Sequence, residues 1–266
     1  MQLATILTNL NVVNLSDSAK LSPEEFQLLR IQAYNDEIGV LTGYDCKLCK
    51  NKGYLMALLD GIERVEECKC MKARKEYWHL EASGLKKQVE EKRFDNFEAT
   101  DLWQARIKKI AEKFCLSSAL MFFIGGQSGC GKSHICIAIV GELLRNLQQV
   151  RFMSWREDSV KLKGLVISDK YEAEIDFLKT VDVLYIDDFW KTKEVTSADI
   201  NLAFEILNYR YNNSLRTIIS TERHTSEILK IDEAVGSRIT EMSKGYRLNI
   251  ERKPGRNYRL KGDETI

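Results

Sequence analysis

A glycine-rich segment in the middle of the chain has the residue types and spacing of a phosphate-binding loop. Its members fit the pattern G-x-x-x-x-G-K-[ST] and are Gly126, Gln127, Ser128, Gly129, Cys130, Gly131, Lys132 and Ser133. Glycines let successive backbone N–H groups point at phosphate, Lys132 reaches β- and γ-phosphates, and Ser133 supplies a hydroxyl to Mg²⁺. A turn without a ligand is the alternative, but an apolar strand before the motif and an apolar-periodic helix after it favour the phosphate site.

Two carboxylates follow a second apolar segment, 183–186. In a parallel sheet the carboxyl end of such a buried strand opens at the crevice where ligands bind. We expect Asp187 to bind Mg²⁺ and Asp188 to accept a hydrogen bond from an attacking water, which are catalytic roles in phosphoryl transfer. A strand-end cap or turn is the alternative for both residues.

Four cysteines form a separate cluster near the N-terminus. They occur as a C-x₂-C pair and a C-x-C pair separated by 18 residues: Cys46, Cys49, Cys68 and Cys70. Four thiolates from two tight loops can surround Zn²⁺, although the C-x-C pair is tighter than usual. The segment between the pairs, 53–61, predicts a hairpin that turns at Asp60-Gly61. A redox dithiol and free thiols are the alternatives to zinc.

Alternating strand and helix patterns surround the phosphate motif. Apolar segments at 120–124, 150–153, 181–186 and 217–220 predict buried strands, and 133–147 and 197–211 have helical spacing. This alternation predicts an α/β fold with a central parallel sheet flanked by helices.

The organisation of the rest of the chain follows from composition. In 266 residues there are 40 Lys and Arg, 39 Asp and Glu, and 44% hydrophobic residues, which exclude wholesale disorder and a uniformly basic surface. We expect an N-terminal partner-binding region at 1–80 with the zinc module at about 41–75, an exposed helical connector at 81–93, and the α/β domain at 94–266. Ser22 and Glu25 predict the start of an N-terminal helix by a capping box.

The compartment and membrane predictions also come from composition. No segment approaches the roughly 20 apolar residues that span a bilayer, and the N-terminus lacks a basic secretory start, so we expect a cytoplasmic protein without a membrane partner.

The C-terminal segment is locally basic. Between 244 and 261 it has seven basic residues against Glu251 alone: Lys244, Arg247, Arg252, Lys253, Arg256, Arg259 and Lys261. With Tyr246 and Tyr258 interleaved, this strip suits single-stranded DNA, and an ordinary solvated strand is an equal alternative.

These motifs, in this order, resemble the AAA+ domain of bacterial and phage replicative helicase loaders (DnaC and DnaI) and the transposition helper IstB. The resemblance covers the chain from about Phe94 and is carried by 126–134, 183–188, 204–212 and 217–221, with 83–85 and 94–97 as its lead-in. The compact form is reminiscent of phage-encoded loaders. Loaders of the DnaI type also have an N-terminal zinc-binding module.

The resemblance implies ATP as the nucleotide and assigns further site residues. His134 joins the ATP-binding motif, and a nucleotide-sensing residue is expected among Ser220, Thr221 and Glu222, with Thr221 included in the ATP site. Arg238 corresponds to an arginine finger donated to a neighbouring subunit, which implies self-association. Arg259 is a candidate second sensor, and its role in binding ATP or DNA stays open.

Three functions are therefore compared. The first is an ATP-dependent loader that brings a hexameric replicative helicase onto single-stranded DNA, with weak ATPase activity stimulated by DNA or partner. The second is an IstB-like transposition helper, and the third is a nucleotide-gated adaptor that scarcely turns ATP over. The cysteine cluster and the short N-terminal region favour the first.

Overall fold

The computed structural model describes residues 22–42, 45–82 and 85–260. The chain forms two compact units, one up to Lys75 and one from Glu76. The domain limits expected from the sequence stay a prediction. Across the three described ranges, no helix is both long and apolar enough to cross a membrane.

The first unit contains a helix, a hairpin and the start of a second helix. Its elements are α1 (Pro23–Asp36), β1 (Tyr54–Leu59), β2 (Ile62–Glu67) and α2 (Cys70–Ala82), and the boundary between the units falls within α2.

Both local predictions for this unit are confirmed. The Ser22 hydroxyl accepts from the Glu25 N–H, and the Glu25 carboxylate accepts from the Ser22 N–H 2.8 Å away, which completes the capping box of α1. β1 and β2 pair antiparallel, and Asp60 and Gly61 turn with φ of 51° and 74°, as a tight hairpin requires.

The second unit alternates strands and helices. Its elements are α3 (Lys86–Glu91), α4 (Leu102–Cys115), β3 (Met121–Gly126), α5 (Lys132–Arg145), β4 (Val150–Ser154), α6 (Trp155–Leu165), α7 (Asp169–Thr180), β5 (Val183–Asp187), α8 (Ser197–Asn212), β6 (Arg216–Thr221), α9 (Thr225–Ile231), α10 (Glu233–Met242), β7 (Arg247–Ile250) and a 3₁₀ helix (Tyr258–Leu260). The strands form one sheet in the order β4-β5-β6-β3-β7, and all neighbours are parallel. The predicted parallel sheet is confirmed.

The central strand β3 shows why helices cover both faces of this sheet. Successive side chains of a strand point to opposite faces. Phe122 and Ile124 pack in the core that includes α4 and α5. Met121 and Phe123 pack in the other core, with α6 to α10. Because the strands are parallel, the ends of β3, β5 and β6 lie at one edge, where the site residues are found.

The expectation of an exposed connector is wrong in one respect. Leu80, Leu85 and Val89 are buried in the core beside α5. The apolar residues of this segment are few among many charged ones, so the sequence pattern does not predict their burial. Ser83 and Gly84, part of the family lead-in, lie outside the described residues.

Candidate functional site

The phosphate motif forms the turn between β3 and α5. Gly129 and Gly131 have φ of 73° and 90°, the left-handed region that favours glycine. Packing requires glycine as well: a Cβ at Gly129 would overlap Oδ1 of Asn257, and one at Gly131 would lie 2.9 Å from Cε2 of Phe97. Glycine is therefore required at both positions by the backbone conformation and by packing.

Lys132 begins α5 and lies inside this loop. Its side chain is buried, and Nζ donates to the carbonyl oxygens of Gly126 and Gln127 at 2.9 and 2.8 Å. These bonds fix the ammonium group against the loop that would surround a phosphate.

Asp187, at the end of β5, lies beside the phosphate motif. Its Oδ1 accepts hydrogen bonds from Ser133 Oγ at 3.2 Å, Tyr185 Oη at 2.7 Å and Ser220 Oγ. Burial raises the pKa of Tyr185 well above its usual range, so this hydroxyl remains a donor. The two residues expected to bind Mg²⁺, Ser133 and Asp187, are thus brought together by neighbouring elements.

Asp188 shares a lysine with Glu222. Lys191 Nζ lies 3.2 Å from Oδ2 of Asp188 and 3.0 Å from Oε1 of Glu222. Partial burial opposes the charge of Lys191, but the bonds to Glu222 and Asp188 outweigh it and raise its pKa. Asp188 has φ of 53°, so its side chain is aimed by an unusual backbone conformation.

A cavity of about 460 Å³ lies over the phosphate motif. Its walls come from the segment before α4 and the start of α4, the motif, the loops after β5 and β6, and the C-terminal segment. The lining residues are Lys92, Asn96, Phe97, Glu98, Trp103, Gln104, Ser128, Gly129, Cys130, Gly131, Lys132, Ser133, His134, Asp188, Lys191, Glu222, Gly255, Arg256, Tyr258 and Arg259. Five of them are Lys or Arg and three are Asp or Glu, so the charge suits a polyphosphate.

The remaining predicted site residues divide between this cavity and other places. His134 lines it, and its ring packs edge-on against Phe97 with burial lowering its pKa, which favours the neutral imidazole. Thr221 is buried, and its hydroxyl donates to the Phe189 carbonyl at 2.7 Å. Arg238 lies away from the cavity, with Nε donating to Oδ1 of Asn208 at 3.0 Å. The roles of Thr221 and Arg238 stay predictions.

The basic C-terminal residues are not one strip. Arg256 and Arg259 line the cavity, and the Arg256 guanidinium lies 4.9 Å from the ring centroid of Trp103. The Tyr258 N–H donates to the Gly129 carbonyl at 2.9 Å, so this segment lies on the phosphate motif. Lys261 is outside the described residues.

Sequence reasoning missed several lining residues, chiefly Lys92, Trp103, Lys191 and Arg256 as parts of one cavity. The sequence pointed to one wall only, because Asn96 and Phe97 belong to the family lead-in. The other lining residues come together through contacts between segments that are distant in sequence.

The four clustered cysteines converge in the first unit. All are buried, and their sulfur atoms lie within 4.8 Å of one another. The Cys46–Cys68 and Cys49–Cys70 separations are 3.8 and 3.5 Å. Sulfurs bound tetrahedrally to zinc at about 2.3 Å would be about 3.8 Å apart, so the donor set fits this metal.

Neighbouring polar groups support the cysteine cluster. Burial opposes ionisation of Cys49, but the Gly53 N–H, 3.3 Å from Sγ, and the nearby thiols lower its pKa to about 7. Asn51 accepts from the Cys46 N–H at 2.9 Å and from Arg74 at 2.8 Å, which ties the first cysteine loop to α2. Such bonds around metal ligands commonly fix their orientation.

Comparisons with known proteins agree with this architecture. The family model for "IstB-like ATP binding protein" matches residues 50–235. The phage-like element PBSX protein XkdC of Bacillus subtilis (strain 168) is 31% identical over 238 residues, 82% of this chain and 87% of that protein.

A crystal structure of the DnaC helicase loader has a TM-score of 0.53 at 20% identity, and the match covers 63% of this chain and 99% of the DnaC chain. A DnaI structure has a TM-score of 0.53 at 19% identity and covers 62% and 93%. At these identities the structural likeness establishes the fold, an AAA+ P-loop fold.

Proposed function

Since the chain belongs to the IstB-like ATP-binding protein family, we propose that it is an ATP-dependent loader of a replicative DNA helicase onto single-stranded DNA. The observation that carries the ATP site is the meeting of Lys132, Ser133 and Asp187, with Ser133 Oγ 3.2 Å from the carboxylate. Lysine, hydroxyl and carboxylate at the end of a parallel sheet are the groups that bind Mg-ATP in P-loop proteins.

Each group then has a defined task. The loop N–H groups and Lys132 bind the phosphates, and Ser133 and Asp187 hold Mg²⁺, whose charge offsets that of the phosphate oxygens. Asp188 orients water for attack. The aromatic wall, Phe97 and Trp103, offers a surface for the base.

Two features support a helicase as the partner. The DnaC and DnaI structures share this fold, and the sequence relative belongs to a phage-like element. The cysteine cluster of the first unit, whose sulfur positions fit zinc, resembles the zinc-binding module of DnaI-type loaders and favours a loader over a transposition helper. We assign this unit to helicase binding and the basic residues outside the cavity, such as Lys244, to single-stranded DNA.

A nucleotide-gated adaptor is the second candidate, and one observation favours it. Lys191 holds Asp188 in an ion pair, which weakens that carboxylate as an acceptor for water. The isolated chain is therefore expected to hydrolyse ATP slowly.

The test measures ATP hydrolysis with the chain alone, with single-stranded DNA, and with a purified hexameric helicase. A loader shows slow basal turnover that rises several-fold with DNA or helicase, and Lys132→Ala removes it because the phosphates lose their buried cation. Lys193→Ala, an exposed lysine outside the cavity, is the matched control. Nucleotide binding with flat, negligible turnover under every condition would select the adaptor. Stimulation by a transposase and not by a helicase would select the transposition helper.

A further inference from the structure

Glu222 lies where a contact to the terminal phosphate is expected, at the end of β6. A carboxylate repels a phosphate, so this side chain cannot be the contact itself. Lys191 Nζ lies 3.0 Å from Oε1 of Glu222, and both side chains line the cavity. Lys191, on the loop after β5, therefore places a cation beside this carboxylate, in addition to Lys132 of the phosphate motif.

The loop that presents Lys191 is firmly attached to β6. Phe189 N–H donates to the Ser220 carbonyl at 2.9 Å, and Arg223 Nε donates to the Trp190 carbonyl at 3.0 Å. Phe189 and Trp190 are buried and stacked with ring centroids 4.7 Å apart. Lys191 thus projects from a packed loop, and its ammonium position is set by this anchor together with the two carboxylates.

The cavity brings this ammonium group and the phosphate motif together, since Lys191, Glu222 and Lys132 all line it. Burial opposes the charge of Glu222, but its bond to Lys191 and, to a smaller extent, the charge of Lys132 lower its pKa. Lys191, Glu222 and Lys132 therefore belong to one charged surface of the cavity.

We propose that Lys191 binds the terminal phosphate of the nucleotide and so makes the site prefer a nucleoside triphosphate over a diphosphate, with Glu222 as the residue that positions it. The proposal rests on the proposed function, in which this cavity holds ATP. Lys191 has three N–H donors, so it can bond a phosphate oxygen while it keeps Glu222. When the Lys191 ammonium group bonds a phosphate oxygen, its ion pair with Asp188 weakens. The Asp188 carboxylate then becomes a better hydrogen-bond acceptor for water.

The experiment compares the binding of a non-hydrolysable ATP analogue and of ADP, both with Mg²⁺, by titration calorimetry. Lys191→Met removes the cation and keeps most of the side-chain volume. Lys191→Arg keeps the charge. Lys193→Met, two residues along and exposed, is the matched control.

Lys191→Met should weaken analogue binding about tenfold or more and change ADP binding less than about twofold, because only the analogue has the third phosphate. Lys191→Arg should retain most of the preference, and Lys193→Met all of it. Equal weakening of both ligands by Lys191→Met, or none, would overturn the proposal while leaving the ATP site in place. If the unaltered chain bound neither nucleotide, the proposed function itself would fail.

Discussion

Asp187 is the residue around which the candidate site at the end of the sheet is organised. Three hydroxyl groups converge on one carboxylate oxygen, from Ser133, Tyr185 and Ser220. Ser133 is an expected metal ligand, whereas Tyr185 and Ser220 come from the sheet and hold the carboxylate in place. Hydrogen bonds that orient the metal ligands commonly have a large effect on the affinity for the metal.

Tyr185→Phe should therefore raise the Mg²⁺ concentration needed for half-maximal binding of the ATP analogue by about tenfold. The ring stays packed, and only the hydroxyl that orients Asp187 is lost. Magnesium titrations at fixed nucleotide measure this effect, and Tyr209→Phe, on an exposed tyrosine, is the control. An unchanged magnesium requirement would show that Tyr185 only fills the core.

The sequence predicts that Ser133 and Asp187 lie together, because Ser133 ends the phosphate motif and Asp187 ends a recognisable strand. The structure places Ser133 Oγ 3.2 Å from Oδ1 of Asp187, and the roles of both residues stay predictions. Lys191 is not predicted from the sequence, because its ammonium group meets Glu222, in the loop after β6, only through the fold. Glu222 is among the three candidates for the nucleotide-sensing residue, but spacing does not show that a lysine pairs with it.

Helix α8 contains a family motif with a residue that stabilises the fold and does not line the candidate site. Its 204–212 segment contributed to the family resemblance, yet Arg210 within it is completely buried. The guanidinium donates to the carbonyls of Leu178 and Val181 at 3.0 and 2.9 Å, near the end of α7, and to Thr217 Oγ1 at 3.0 Å. It therefore joins the end of α7 to β6 and satisfies carbonyls that a helix end leaves unpaired.

Arg210→Met should lower the free energy of unfolding by about 3–5 kcal/mol, because several buried carbonyls lose their donor. Urea denaturation followed by tryptophan fluorescence measures it. Arg106→Met, on the exposed side of α4, should change stability by less than about 0.5 kcal/mol. A loss at Arg210 no larger than that control would refute the joining role.

The cysteine cluster predicts one zinc ion per chain. Cys46→Ser or Cys68→Ser should lose the metal and unfold the first unit while ATP binding continues, because a structural zinc supplies much of a small module's folding free energy. Elemental analysis, limited proteolysis and nucleotide titration follow the three effects. Cys115→Ser, outside the cluster, is the control. A folded first unit in metal-free protein would contradict the zinc site.

In the whole molecule, Arg238 is the residue that we expect to act on a neighbouring subunit. It is held away from the cavity of its own chain, with its guanidinium 4.9 and 5.5 Å from the ring centroids of Phe204 and Tyr211. An arginine finger acts on a neighbour's terminal phosphate and is worth about 10³ or more in rate in comparable sites.

Lys132→Ala and Arg238→Ala proteins should each be nearly inactive, and their mixture should recover part of the activity. In the mixture, an Arg238→Ala subunit keeps its own phosphate loop and receives Arg238 from a Lys132→Ala neighbour. The ATPase titration is performed where light scattering shows co-assembly, with DNA or helicase added as required. No recovery in a proven co-assembly would leave Arg238 as a surface charge.

The fold itself was largely predictable, because the apolar segments that form β3 to β6 alternate with helical patterns around the phosphate motif. The packing of α3 was not, since its apolar residues are few among many charges. The position of the C-terminal segment over the cavity could not be predicted either. The Lys253 N–H donates to Gln127 Oε1 at 2.8 Å, although the two residues are far apart in sequence. Such long-range contacts produce no periodic pattern in the sequence.

Transfer of a purified hexameric helicase onto closed circular single-stranded DNA decides whether this chain is an ATP-dependent loader. A circle has no end onto which the ring can thread, so stable helicase–DNA complexes require a loader to open or assemble the ring. We expect complexes, separated by gel filtration, only with this chain and ATP together, and none with Lys132→Ala. Equal complex formation without the chain, or with Lys132→Ala, would rule out helicase loading by this chain.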